Sequence, residues 1–188
     1  LHDVRLADAR LAGADLSLTH FTRVTAPRAQ LPTDAPAALT RGRPAQPQPL
    51  YPTGHSVRLS ACAFSPDGQF VVTAAEDSSA RLWDARSGIE LRRFNGHTGP
   101  LTACAFSPDG QFVLTAAEDS SARLWDSHSG TELRRFDGHS GPLTACAFSP
   151  DGHFVLTSAE DSSARLWDIR SGTELRRFDG HTQSVTTC

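Results

Sequence analysis

A 42-residue segment is written three times in succession in this chain, and a fourth copy begins before the chain ends at Cys188. Gly-His pairs stand at Gly54-His55, Gly96-His97, Gly138-His139 and Gly180-His181, and Trp-Asp pairs at Trp83-Asp84, Trp125-Asp126 and Trp167-Asp168. Residues 96–137 and 138–179 differ at five positions, and residues 54–95 and 96–137 at nine. A period of this length confines the chain to repeat architectures, in which one supersecondary unit buries its apolar surface against the next copy.

Within a unit the signals are those of short strands. Leu101 to Phe106 is apolar and β-compatible. Ser107-Pro108-Asp109-Gly110 then turns the chain, proline presetting φ and glycine accepting a positive φ. Phe112 to Ala116 is a second strand, Glu118-Asp119-Ser120-Ser121 a second turn, and Ala122 to Trp125 a third strand. A turn ending at Gly130 leads to a more exposed fourth strand, Glu132 to Phe136. Short strands with turns every 8–12 residues predict an all-β architecture.

Over residues 54–188 the chain resembles the WD40-repeat family, whose Gly-His…Trp-Asp signature and period of about 40–45 residues are both met. The resemblance implies a partial β-propeller: three four-stranded blades (54–95, 96–137, 138–179) and the start of a fourth (180–188). Each blade is then apolar on both flat faces. The terminal blades of an open arc are expected to leave one such face each in water.

The N-terminal segment follows another rule. Leu1, Leu6, Leu11, Leu16 and Phe21 recur every fifth residue, with Val4, Ala9, Ala14 and Thr19 two places before the last four. Five residues rotate an α-helix by about 140°, which scatters these side chains around it. Residues 1–24 instead resemble the pentapeptide-repeat family, which implies the remnant of a square β-solenoid; a surface helix is the alternative. Residues 25–53 hold seven prolines, Pro27, Pro32, Pro36, Pro44, Pro47, Pro49 and Pro52, and read as an extended linker.

Each unit repeats a histidine, a threonine, an aspartate and a tryptophan. The sets are His55, Thr73, Asp77 and Trp83; His97, Thr115, Asp119 and Trp125; His139, Thr157, Asp161 and Trp167. Hydroxyl, imidazole and carboxylate are the parts of a hydrolytic triad, but a catalytic set is needed once and this one recurs in every unit. The family resemblance implies structural tetrads, buried and mutually hydrogen-bonded. No catalytic, cofactor-binding or metal-ligating residue is expected. Cys62, Cys104, Cys146 and Cys188 recur at one strand position without a Cys-x-x-Cys pair, so they are read as buried core thiols in a reducing compartment.

All 18 basic residues are arginine and the net charge is −3, which offers no general attraction to nucleic acid or anionic membrane. No apolar run approaches the ~20 residues that span a bilayer. The resemblance places the Gly-His loops and Glu-Asp turns on one face of the disc, where Glu76, Thr98, Pro100, Glu118, Ser140 and Glu160 are candidates for binding a protein or peptide. The chain has no methionine, even at position 1, and is expected to be an internal piece of a larger bacterial multidomain protein. Its expected role is a non-catalytic cytoplasmic interaction scaffold. The alternative is the ligand-sensing propeller of a signalling ATPase or kinase whose catalytic module lies elsewhere.

Overall fold

The structure, a computed structural model, describes residues 54–187; the pentapeptide-like segment 1–24, the proline-rich segment 25–53 and Cys188 lie outside the described residues. Twelve strands form three antiparallel sheets of four, and no helix occurs among the described residues. The first sheet is β1 (Leu59–Phe64), β2 (Phe70–Ala75), β3 (Ser79–Asp84) and β4 (Glu90–Asn95). The second is β5 (Leu101–Phe106), β6 (Phe112–Ala117), β7 (Ser121–Asp126) and β8 (Glu132–Asp137). The third is β9 (Leu143–Phe148), β10 (Phe154–Ala159), β11 (Ala164–Asp168) and β12 (Glu174–Phe178). Strand order follows chain order in each sheet, as hairpin connections require.

The sheets are propeller blades stacked side by side. β5 packs beside β1 on one side and β9 on the other, so the first strands gather at the inner edge while the fourth strands fan outward. Burial along the second blade follows from this placement. Val113 through Ala117 of β6 are all buried because blades cover both faces, whereas β8 buries only Phe136. The core accordingly lies between blades. Val72, Leu82 and Phe94 meet Leu101, Val113 and Trp125 at the first junction. Leu114, Leu124 and Phe136 meet Leu143, Val155 and Trp167 at the second.

The thiols show what covering a face does. Cys104 packs against the first junction, its Sγ 3.9 Å from the Val72 carbonyl oxygen, and burial pushes its pKa up to about 12. Cys62 holds the same position on β1, but no blade precedes it among the described residues, and it is exposed. The expectation of a buried core thiol therefore fails at Cys62.

Two local devices shape the turns. In Ser107-Pro108-Asp109-Gly110 the Ser107 hydroxyl donates to Asp109 Oδ1 at 2.6 Å and accepts from the Phe112 N–H at 2.9 Å, while Gly110 takes φ of 74°. The Glu-Asp-Ser-Ser turns instead place serine in the left-handed region, with φ of 61° at Ser78 and 64° at Ser120 and Ser162. A Cβ there costs roughly 1–2 kcal/mol, part of which glycine returns as unfolded-state entropy. Ser120→Gly is expected to stabilise the protein by about 0.5–1 kcal/mol, read as a raised urea midpoint. The triple variant at Ser78, Ser120 and Ser162 should be close to additive, because the three turns sit one blade apart.

Candidate functional site

The most chemically rich cluster recurs once per blade, and its parts come from two strands, a loop and a turn. The loop before the first strand supplies histidine, the second strand threonine, the turn after it aspartate, and the third strand tryptophan. Register brings them together: Thr115 lies opposite Arg123 in the β6–β7 ladder, with Trp125 two residues further on the same face.

In the second blade the Trp125 Nε1–H donates to Thr115 Oγ1 at 2.8 Å, and Thr115 Oγ1 lies 2.8 Å from His97 Nε2. His97 Nδ1 lies 2.9 Å from Asp119 Oδ2. Because the Asp119 carboxylate can only accept, His97 keeps its proton on Nδ1 and donates it there; the neutral ring then leaves Nε2 as an acceptor for the Thr115 hydroxyl, whose oxygen accepts from the indole. The third blade repeats the relay with Trp167–Thr157 at 2.8 Å, Thr157–His139 at 2.9 Å and His139–Asp161 at 3.0 Å. In the first blade the distances are 2.8 Å for Trp83–Thr73, 2.9 Å for Thr73–His55 and 3.0 Å for His55–Asp77.

The aspartate ends each relay and also grips two backbones. Asp119 accepts from the Thr98 N–H at 3.0 Å, the Ser121 N–H at 3.1 Å and the Ser121 hydroxyl at 2.7 Å. Partial desolvation pushes its pKa up, but the hydrogen bonds from Ser121, Thr98 and His97 outweigh it and hold the carboxyl at about 2. Burial lowers the His97 pKa, Asp119 offsetting only part of the effect, and His55 and His139 shift the same way. The geometry is that of a strut. Thr115 and Thr157 are wholly buried, so neither hydroxyl can meet a substrate.

Two further sets complete the blade, and the repeat alone did not reveal them. Arg123 is buried on β7 and pairs with Glu132 at 2.5 Å; Arg81–Glu90 at 2.7 Å and Arg165–Glu174 at 2.6 Å recur with it. The available signal was a charge at a fixed interior strand position, nine residues before a glutamate. This arginine also explains the glycine of the Gly-His pair. A Cβ on Gly96 would stand 2.8 Å from Arg123 Nη1 and 3.1 Å from Trp125 Cη2. The aspartate of the Trp-Asp pair stays outside the relay. Asp126 Oδ1 accepts from the His128 and Ser129 N–H groups at 3.0 and 2.7 Å and closes the turn into β8.

The surface candidates gather on the face where the relay aspartates sit. The Glu118 N–H donates to the Pro100 carbonyl and the Glu160 N–H to the Pro142 carbonyl, each at 2.9 Å, so loop and turn form one edge. Glu76, Thr98, Glu118, Ser140 and Glu160 are exposed and Pro100 is half-buried. The glutamates do not form a uniformly acidic ring, because Arg58 lies 3.5 Å from Glu76, and Arg135 and Arg177 pair with Asp137 and Asp179 at 2.7 and 2.6 Å. The opposite face carries the Ser-Pro-Asp-Gly turns and a hollow of about 390 Å³ lined by Phe70, Asp109, Gln111, Asp126 and His128. Among the described residues, no group of three or more His, Cys, Asp or Glu side chains is placed to hold a metal ion, and no helix is long and apolar enough to cross a membrane.

A family model described as WD domain, G-beta repeat matches residues 48–84, 88–126 and 130–168, more than half of the chain, and the chain belongs to the WD40 family. The matched windows end at the Trp-Asp pairs, so the second and third each join the fourth strand of one blade to the first three of the next. Ribosome assembly protein 4 of Saccharomyces cerevisiae is 50% identical over 36 residues, 19% of this chain and 7% of that protein. Two solved structures, of the RRP9 WD40 repeats and of U3-55K, match with a TM-score of 0.69 at 24% identity. The matches cover 71% of this chain and 42% and 43% of theirs; at that identity the likeness is one of fold.

Asp119→Ala should destabilise by ~1–3 kcal/mol, because it strands buried donors. Asp77→Ala should cost less, since the Asp77 side chain is 19% exposed against 5% for Asp119 and water can replace it. Urea midpoints at equal protein concentration check the order. Acid should act in the same direction. Each relay histidine has a folded pKa below its unfolded value of about 6.5, so its contribution is complete above that pH and is lost as pH falls through the folded value. The aspartates add a second loss below about pH 4.

Proposed function

We propose that this chain works as a non-catalytic scaffold that holds a protein or peptide on the face bearing Glu76, Thr98, Pro100, Glu118, Ser140 and Glu160. The observation that carries the reading is the relay. In each blade the chemically capable groups are engaged with one another beneath the surface, which leaves the exposed loops above them to do the binding. Variation between blades fits this division. Four of the five differences between residues 96–137 and 138–179 fall in loops and turns. The one within a strand is Ala116 against Ser158, and the Ser158 hydroxyl lies 3.0 Å from Thr144 Oγ1, a built-in partner.

The same reading has the protein work in the cytoplasm. The free thiols at Cys62, Cys104 and Cys146 support a reducing setting. The mixed charges of the loop face suit a partner that carries both signs and is not simply basic. The similarity to Ribosome assembly protein 4 adds assembly of large complexes as a plausible context for such a scaffold.

The test is a peptide-array screen with the purified chain, followed by titration of the best ligand. Glu118→Lys with Glu160→Lys should weaken binding about tenfold or more with an unchanged melting temperature. Asp109→Asn with Asp151→Asn, on the opposite face, should leave binding unchanged. Loss of binding only with the second pair would overturn the assignment of the face.

A further inference from the structure

The second and third blades differ at five positions, and three of the five, Gln111, Ser127 and His128, line one hollow. It is the hollow of about 390 Å³ at the junction of the first two blades, across the disc from the relay loops. Phe70 of β2 lines it from the first blade, and Asp109 and Asp126 line it from the second. The next junction shows what occupies the same place there. Ile169 stands in the position of Ser127, is 9% exposed, and belongs to the core cluster against which Phe112, the counterpart of Phe70, packs. Ser127 instead donates its hydroxyl to the Gly110 carbonyl at 2.9 Å and leaves the space open.

Charge departs from the repeat together with shape. Arg86 and Arg170 hold the second place after the Trp-Asp aspartate in the first and third blades, and His128 holds it in the second. An imidazole thus stands where the other turns carry a permanent guanidinium charge. Asp109 Oδ1 accepts from the Ser107 hydroxyl at 2.6 Å and the Gln111 N–H at 3.0 Å. Asp126 Oδ1 accepts from the His128 and Ser129 N–H groups at 3.0 and 2.7 Å. The Oδ2 atom of each carries no hydrogen bond among the described residues. Arg92 donates to the His128 carbonyl at 2.9 Å, but Arg134 holds the Arg170 carbonyl in the same way at 2.8 Å, so that cation is common to both junctions. What the first junction lacks is the counterpart of Arg170.

We propose that this hollow binds a small organic cation, a guanidinium or ammonium group carried on a short apolar chain. The apolar chain takes the space that Ile169 fills 42 residues further on. Phe70 lines that space, and an aromatic ring attracts a cation over its face. The charged head supplies the missing arginine's charge to Asp109 and Asp126, and a guanidinium can donate two parallel bonds to one carboxylate. A volume of about 390 Å³ lies within the roughly 300–1,000 Å³ of small-molecule pockets. The site is separate from the loop face and works whether or not a protein is held there.

Titration of the full chain with n-butylguanidinium, followed by proton–nitrogen NMR, tests this. Saturable shifts should centre on Gln111, Ser127 and His128. N-butylurea, which has the same shape without the charge, should bind about tenfold more weakly or worse. Ser127→Ile and His128→Arg each install the residue that the third blade carries at the same place. The melting temperature should therefore hold, while either variant weakens binding about tenfold or more by filling the space or supplying the charge. Asp109→Asn should weaken the probe and leave a loop-face ligand bound, and Glu118→Lys with Glu160→Lys should do the reverse, so the two sites fail separately. Shifts that do not saturate at millimolar probe, equal binding of N-butylurea, or undiminished binding to Ser127→Ile overturns the proposal.

Discussion

Everything in this blade hangs on a proton order fixed by the aspartate at the end of the relay. The Asp119 carboxylate can only accept, so His97 carries its proton on Nδ1; the neutral ring leaves Nε2 to accept from Thr115, and the Thr115 oxygen accepts from the Trp125 indole. The relay runs from the third strand through the second to the loop ahead of the first. The carboxylate at its end then fastens the Gly-His loop through Thr98 and the next turn through Ser121. Hydrophobic packing is non-directional, and near-identical repeats would tolerate slippage; a buried polar chain with a single satisfied arrangement selects one register.

The second constraint is sandwiching. A four-stranded sheet with apolar side chains on both faces has no stable life alone, and the blades here bury their cores only where two of them meet. Among the described residues the central blade is therefore covered on both faces, and the outer two on one each. The first blade registers the difference: its relay aspartate is more exposed than its counterparts, and the thiol on its leading face is in water. Placing the polar relay near one edge and the apolar junction in the middle of the sheet leaves the loops above the relay free to vary without disturbing the core.

Much of this was legible in the residues. Repeat period, strand order, the membership of the relay and the pairing of loop with turn all follow from motif spacing and the family resemblance. Other features were not, for identifiable reasons. The left-handed turn residue is a serine, not the glycine that normally announces such a position, so Ser120 gave no signal. Arg123 gave only a weak signal, since a charge on a strand is most often solvated; the close approach of Gly96 and the pairing with Glu132 place it inside. Cys62 and Cys104 stand in the same Ala-Cys-Ala-Phe-Ser-Pro context, and the neighbouring blade is what covers one and not the other. The character of the loop face also needed coordinates, because the arginines that share it with the glutamates come from elsewhere in the sequence, Arg58 from the loop before β1 and Arg135 and Arg177 from β8 and β12.

The central claim, that the relay is a fixed strut and not a reactive triad, is most directly tested at His97 itself. Nitrogen-15 chemical shifts of the His97 ring, followed from neutral pH down to the onset of unfolding, report both its charge and its tautomer. The account predicts a neutral ring with the proton on Nδ1 at pH 6.5, unchanged until the fold is lost. A ring that is half protonated near pH 6.5 in the folded protein, or that carries its proton on Nε2, would contradict it.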